Sequence, residues 1–181
     1  PSPLPAITAN SCPSDTWTPT QTSGPPSGRL FFPAVWTGTE MILWGGYSGT
    51  TNLDTNTGGR YNPATDSWLP TSVTDPPPAA AEHSAIWTGS RMLIWGGESS
   101  GPGVATGGSY DPVGDLWQSL PTPGAPAGRR NHSPVWAGSR MIVWGGTAAA
   151  SAYLNSGGRF DPAGGGTWTP TSMGTAPSPR N

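Results

Sequence analysis

The chain has 181 residues, of which 27 are glycine and 23 are proline, a composition that reads as low-complexity or disordered unless a period is present. Ten tryptophans exclude a disordered linker, because disorder follows from too little apolar surface to offset the entropy of ordering. Charge is sparse, with eight arginines, no lysine, ten acids and a net of −2, which excludes a phosphate-binding stripe and a nucleic-acid partner; no apolar run approaches the roughly 20 residues of a spanning helix.

Residues 1–11 form a Pro-rich N-terminal extension without the basic and apolar regions of a signal peptide, compatible with a mature terminus exposed after processing. The absence of lysine beside abundant Ala, Gly, Pro, Arg and Thr points to a high-GC bacterial genome. Residues 12–23 follow, in which Cys12-Pro13-Ser14-Asp15-Thr16-Trp17 matches a corner that recurs three times downstream. An isolated strand is expected there, equivalent to the last strand of each later unit.

Three full units come next, over 24–74, 75–123 and 124–174. Trp36-Thr37-Gly38, Trp87-Thr88-Gly89 and Trp136-Ala137-Gly138 recur at intervals of roughly fifty residues, each followed by an apolar run into Trp44-Gly45-Gly46, Trp95-Gly96-Gly97 or Trp144-Gly145-Gly146. A second Gly-Gly pair comes next, then Tyr61, Tyr110 or Phe160, then Asn/Asp-Pro, then Trp68, Trp117 or Trp168.

Each unit predicts four short strands. The first ends in a Thr-Gly or Ala-Gly hairpin turn, and the second is an apolar run suited to burial on both faces. The third ends at the Asx-Pro corner, and the fourth is centred on the last tryptophan. Gly-Gly fits where the chain leaves the second strand with unusual dihedrals and no side-chain bulk near a neighbouring unit. The recurrent aromatic rings are expected to fill the space between sheets. Residues 175–181 repeat the approach to a unit and stop as the next would begin.

This pattern resembles the kelch repeat, a likeness that spans residues 12–181; the Asp-containing corner is also similar to the Asp-box of sialidase-type propellers, but the paired Gly-Gly motifs favour kelch. The resemblance implies an all-β fold of β-propeller blades, each of four antiparallel strands, here three complete repeats plus an isolated N-terminal fourth strand. Three blades make a partial propeller, so a longer parent chain or assembly of several copies is expected. It also implies that the second-to-third and fourth-to-first connections share one face. Those connections vary in length and content, which is where a ligand surface is expected. Arg29, Tyr47, Glu98, Arg130 and His132 are the candidate contacts. Individually, an Arg or His on an inner strand more often satisfies backbone carbonyls. Arg60 and Arg159 are expected between blades, with Ser109 replacing arginine in the middle repeat.

No metal site is expected, since two histidines, one cysteine and ten scattered acids form no cluster, and Asp66, Asp111, Asp115 and Asp161 fall where turn capping accounts for them. No catalytic set is expected: His83 and His132 are repeat-equivalent, and no nucleophile elbow or paired carboxylate motif is present. Galactose oxidase, a kelch-type copper enzyme with a cross-linked Cys–Tyr cofactor, offers a comparison through Cys12 and Tyr47, Tyr61, Tyr110 and Tyr153. Cys12, however, stands at a repeat turn. The expected function is a non-catalytic binding module, secreted or on the cell surface, taking a protein, peptide or glycan, with no cofactor and no membrane span. The alternatives are a structural subunit of an extracellular assembly or filament, and a fragment of a propeller enzyme whose catalytic residues lie elsewhere.

Overall fold

A computed structural model describes residues 17–99, 101, 103–149 and 152–179. Short apolar runs between turns become strands β1 (Arg29–Leu30), β2 (Ala34–Trp36), β3 (Met41–Trp44), β4 (Tyr47–Ser48), β5 (Leu53–Asp54), β6 (Gly58–Asn62) and β7 (Ser67–Pro70). The second unit supplies β8 (Ser84–Trp87), β9 (Met92–Trp95), β10 (Gly107–Asp111) and β11 (Leu116–Ser119). The third supplies β12 (Ser133–Trp136), β13 (Met141–Trp144), β14 (Gly157–Asp161) and β15 (Thr167–Pro170), with a short 3-10 turn at Ala163–Gly165.

Over its described residues the chain is all-β, built as three four-stranded antiparallel sheets in the orders β2-β3-β6-β7, β8-β9-β10-β11 and β12-β13-β14-β15, and a small three-stranded sheet β1-β4-β5. Register repeats with the sequence: Trp44 stands opposite Gly58, Trp95 opposite Gly107 and Trp144 opposite Gly157. The second glycine pair is required by close approach, since a Cβ on Gly107 would lie 2.2 Å from the Ile94 carbonyl oxygen. At the first pair, Gly96 has φ +72° and its Cβ would meet His132 of the next unit at 2.7 Å, so both dihedral and space call for glycine.

Turn chemistry fixes the strand ends. The Thr37 and Thr88 hydroxyls accept from the backbone N–H groups of Glu40 and Arg91, closing the β2–β3 and β8–β9 hairpins. At the Asx-Pro corners, Asn62, Asp111 and Asp161 side chains accept from the N–H groups of Ala64, Val113 and Ala163. Asn62, Asp111 and Asp161 therefore cap turns.

The sheets stack face to face. Val35, Ile42 and Trp44 of the first sheet pack on Met92, Ile94, Tyr110 and Trp117 of the second. Ile86, Leu93 and Trp95 on the second sheet's other face pack on Met141, Val143, Phe160 and Trp168 of the third. Trp87 and Trp136 pack against these two cores. Each seam carries the same aromatic set. Trp44 lies 5.3 Å from Trp117 and 5.5 Å from His83, and Trp95 lies 5.3 Å from Trp168 and 5.2 Å from His132, centroid to centroid. The outer faces differ: Val135 is 55 % exposed, whereas its repeat equivalents Val35 and Ile86 are each 8 % exposed, and Trp36 is 53 % exposed, whereas its equivalents Trp87 and Trp136 are half-buried.

Two features depart from the four-strand pattern. The first second-to-third connection folds back as β4 and β5 and pairs with β1, and single bridges Ala81–Glu98 and Arg130–Thr147 repeat that contact in the later units. The strand expected over 12–23 falls partly outside the described residues, as does Cys12, and the described portion, 17–23, forms no strand.

Candidate functional site: the face where the inner strands meet

The first strands of the three sheets lie side by side, β2 beside β8 and β8 beside β12, so the segments leading into them converge. Shortly before each of these strands stands a non-glycine residue in the left-handed region: Phe31 (φ 57°), Glu82 (φ 55°) and Asn131 (φ 53°). A series of main-chain hydrogen bonds joins them, the Asn131 N–H donating to the Glu82 carbonyl at 3.2 Å and the Glu82 N–H to the Phe31 carbonyl at 2.9 Å. The three side chains occupy one repeat position and are an aromatic ring, a carboxylate and an amide. They help line an open cleft of about 330 Å³ together with Phe32, Ser84 and Pro134.

Charge gathers at one end of this face. Arg130 bonds the Glu98 carboxylate and lies 3.4 Å from the Glu82 carboxylate, while the Asn131 amide donates to Glu82 at 3.0 Å. Glu98 reaches the cluster because its backbone bridges Ala81. Two carboxylates share one guanidinium here, so the patch carries a net negative charge with an amide donor at its edge. At the first sheet, the positions equivalent to Arg130 and Glu82 hold Leu30 and Phe31, 57 % and 61 % exposed. The face thus runs from apolar and aromatic to charged.

The five residues singled out from sequence divide. Glu98 and Arg130 are in contact. Tyr47 pairs with Leu30 in the small sheet. Arg29 turns inward, donating to the carbonyls of Ser27, Gly45 and Thr57 at 2.8–3.0 Å. Arg129, its repeat equivalent, makes the same set to Ala127, Gly145 and Ser156. Both guanidiniums brace the loop that leaves the second strand, and burial lowers their pKa values. His132 is 7 % exposed and bonds Ser84 across the seam at 2.7 Å. Burial, reinforced by nearby Arg129, pushes its pKa down to about 3, and burial holds His83 at about 4, so both imidazoles are neutral spacers at pH 7.

Phe31, Glu82 and Asn131 were not among the sequence candidates. Aligning the repeats places them at one column and shows its variation; the left-handed backbone that displays them has a sequence signal only at Asn131, since asparagine tolerates this region whereas phenylalanine and glutamate do not favour it. The tyrosines weighed for a copper site are dispersed, with the Tyr61 and Tyr110 hydroxyls each donating to a corner acid, Asp66 and Asp115, and Tyr153 54 % exposed. Among the described residues no group of three His, Cys, Asp or Glu gathers as a metal site, and no helix is long and apolar enough to cross a membrane.

No family model matches the chain, and no curated protein does. Among solved structures it is similar to one described as the structure of YjhT, with a TM-score of 0.74 and 16 % identity. The likeness covers 93 % of this chain and 58 % of that one. The chain therefore spans less than two thirds of that protein's length, and at this identity the likeness is one of fold alone.

Proposed function

We propose that the chain is a kelch-type propeller segment that acts as a non-catalytic binding module. The ligand surface is the face carrying Phe31, Glu82, Glu98, Arg130 and Asn131. One observation carries this reading: the three left-handed residues share one backbone conformation and are joined in series by main-chain hydrogen bonds, while their side chains change from ring to carboxylate to amide. A position kept for architecture alone has no need of that variety, and a conserved frame presenting varied side chains is how a scaffold builds a binding surface. The mixture of an exposed ring with paired charges and an amide suits a glycan or a peptide, both of which offer an apolar face and a row of hydrogen-bonding groups. Location outside the cell or at its surface is consistent with this reading.

The test is to probe glycan and peptide arrays with the chain and with the triple variant Phe31→Ala, Glu82→Gln, Arg130→Ala. The expected result is a set of ligands held by the parent and released by the variant. No ligand on either array, or a variant that binds as the parent does, overturns the proposal.

A second reading, self-association or the docking of further blades, draws on the exposed outer faces at Trp36, whose equivalents Trp87 and Trp136 are half-buried, and at Val135, whose equivalents Val35 and Ile86 are buried between sheets. Light scattering of the chain checks it: a mass of two or more chains supports self-association, and a compact monomer removes it.

A further inference from the structure

At the opposite end of the strands from the face just described, the two seams between sheets are filled differently. Between the first and second sheets the wedge is polar and occupied. The Arg60 guanidinium reaches the Pro112 carbonyl, the Tyr110 hydroxyl donates to Asp115, and Arg60, Asp115 and Glu40 all lie close enough to act on Tyr110 electrostatically. Between the second and third sheets every one of these positions has changed. Ser109 stands for Arg60, Phe160 for Tyr110, Arg91 for Glu40, and the corner that would hold Asp115 is the glycine run Gly164-Gly165-Gly166. The seam has not closed to compensate, since the Trp95–Trp168 spacing equals the Trp44–Trp117 spacing at 5.3 Å. What remains is a cleft of about 530 Å³, lined by Leu93, Leu120 and Phe160 with Ser109, Gln118 and Arg91 among its polar groups.

We infer that this cleft binds a small molecule with a ring-sized apolar body and a carboxylate. Its volume is that of a small-molecule site, with mostly apolar walls and a few convergent polar groups. The body lies against Pro121, Pro162 and Ala163, over a floor formed by the buried Leu93, Leu120 and Phe160. The charge is set by what the substitutions removed and added: no acid lines the cleft, and Arg91 stands where the other seam has Glu40. Arg91 is 39 % exposed and touches Asp111 through one nitrogen at 3.3 Å, which leaves other guanidinium donors for a carboxylate oxygen. The Ser109 hydroxyl and Gln118 amide supply further donors. A cation of the same shape would meet Arg91 with no compensating acid in the lining.

Phenylacetate is the probe, with benzylamine as its cationic counterpart, each titrated into the chain and followed by NMR shift changes at Ser109, Phe160 and Gly165. The expected result is saturable phenylacetate binding at millimolar concentration or below and none for benzylamine. Arg91→Gln should weaken phenylacetate by roughly tenfold, the scale of one lost charge-assisted contact. Ser109→Leu, which fills the cleft, should abolish binding while leaving the near-UV circular dichroism unchanged. Failure of phenylacetate to saturate, equal binding of the two probes, or undiminished binding in either variant overturns the inference. Arg91 lies at the rim, so its variant reports even where the Ser109 variant disturbs packing.

Discussion

The seam between the first and second sheets and the seam between the second and third are the same joint built twice with different filling. Both stack a tryptophan against the next unit's tryptophan and histidine at nearly identical distances. Only the first adds a polar wedge of Arg60, Tyr110 and Asp115. Since the spacing survives loss of the wedge, the rings set the distance between sheets and the wedge only occupies what they leave.

The comparison can be broken most forcefully at the rings. Trp95 is 1 % exposed and packed on both sides, so Trp95→Ala should lower stability by about 3–5 kcal/mol in urea unfolding. A loss under about 1 kcal/mol would show that the rings do not carry the seam. Acid is the next lever. A histidine depressed in the folded state is neutral in both states above about pH 6.5, so its contribution is intact there; as pH falls below that value the unfolded chain takes up the proton first and stability drops, until the folded-state pKa of about 4 for His83 or 3 for His132 is passed. The expected loss from pH 7 to pH 4 is on the order of 3 kcal/mol for each histidine. His83→Phe, which copies Phe32 at the same position of the first unit, should flatten the share of that slope arising at the first seam.

Smaller effects sharpen the contrast. Arg60→Ser, which makes the first seam resemble the second, should cost about 1–2 kcal/mol because it strips a charge-assisted bond from the Pro112 carbonyl. Last comes Arg130→Ala. Its pairs with Glu82 and Glu98 are partly exposed, so the change in melting free energy should stay below about 1 kcal/mol. A larger loss would recast this cluster as part of the scaffold.

The repeat made most of the strand architecture legible. Trp-Thr-Gly, Trp-Gly-Gly and Asx-Pro mark turns whose chemistry is local, and each yields the hydrogen bonds its residues predispose. The small sheet was illegible because its pairings join only two residues each, Tyr47–Ser48 with Leu53–Asp54, too short for any alternation to register. At the site, the Glu98–Arg130 contact spans units and is set by the convergence of inner strands, which no local pattern encodes. Arg29 takes the structural role that the sequence favours for a single arginine: beside a glycine-rich loop it has several carbonyls within reach, and its guanidinium donates to them. The cleft at Ser109 was half visible, since the lost arginine could be read from alignment but the space it left could not.

The linked main chains of Phe31, Glu82 and Asn131 separate address from message. Two main-chain hydrogen bonds hold them in series, so a substitution there rewrites what is displayed while those bonds keep where it is displayed. Glycine would relax each left-handed residue by about 1 kcal/mol, yet all three carry a side chain. Stability is being traded for content at these three positions, and exchanging their side chains should redirect ligand choice while the sheets beneath stay as they are.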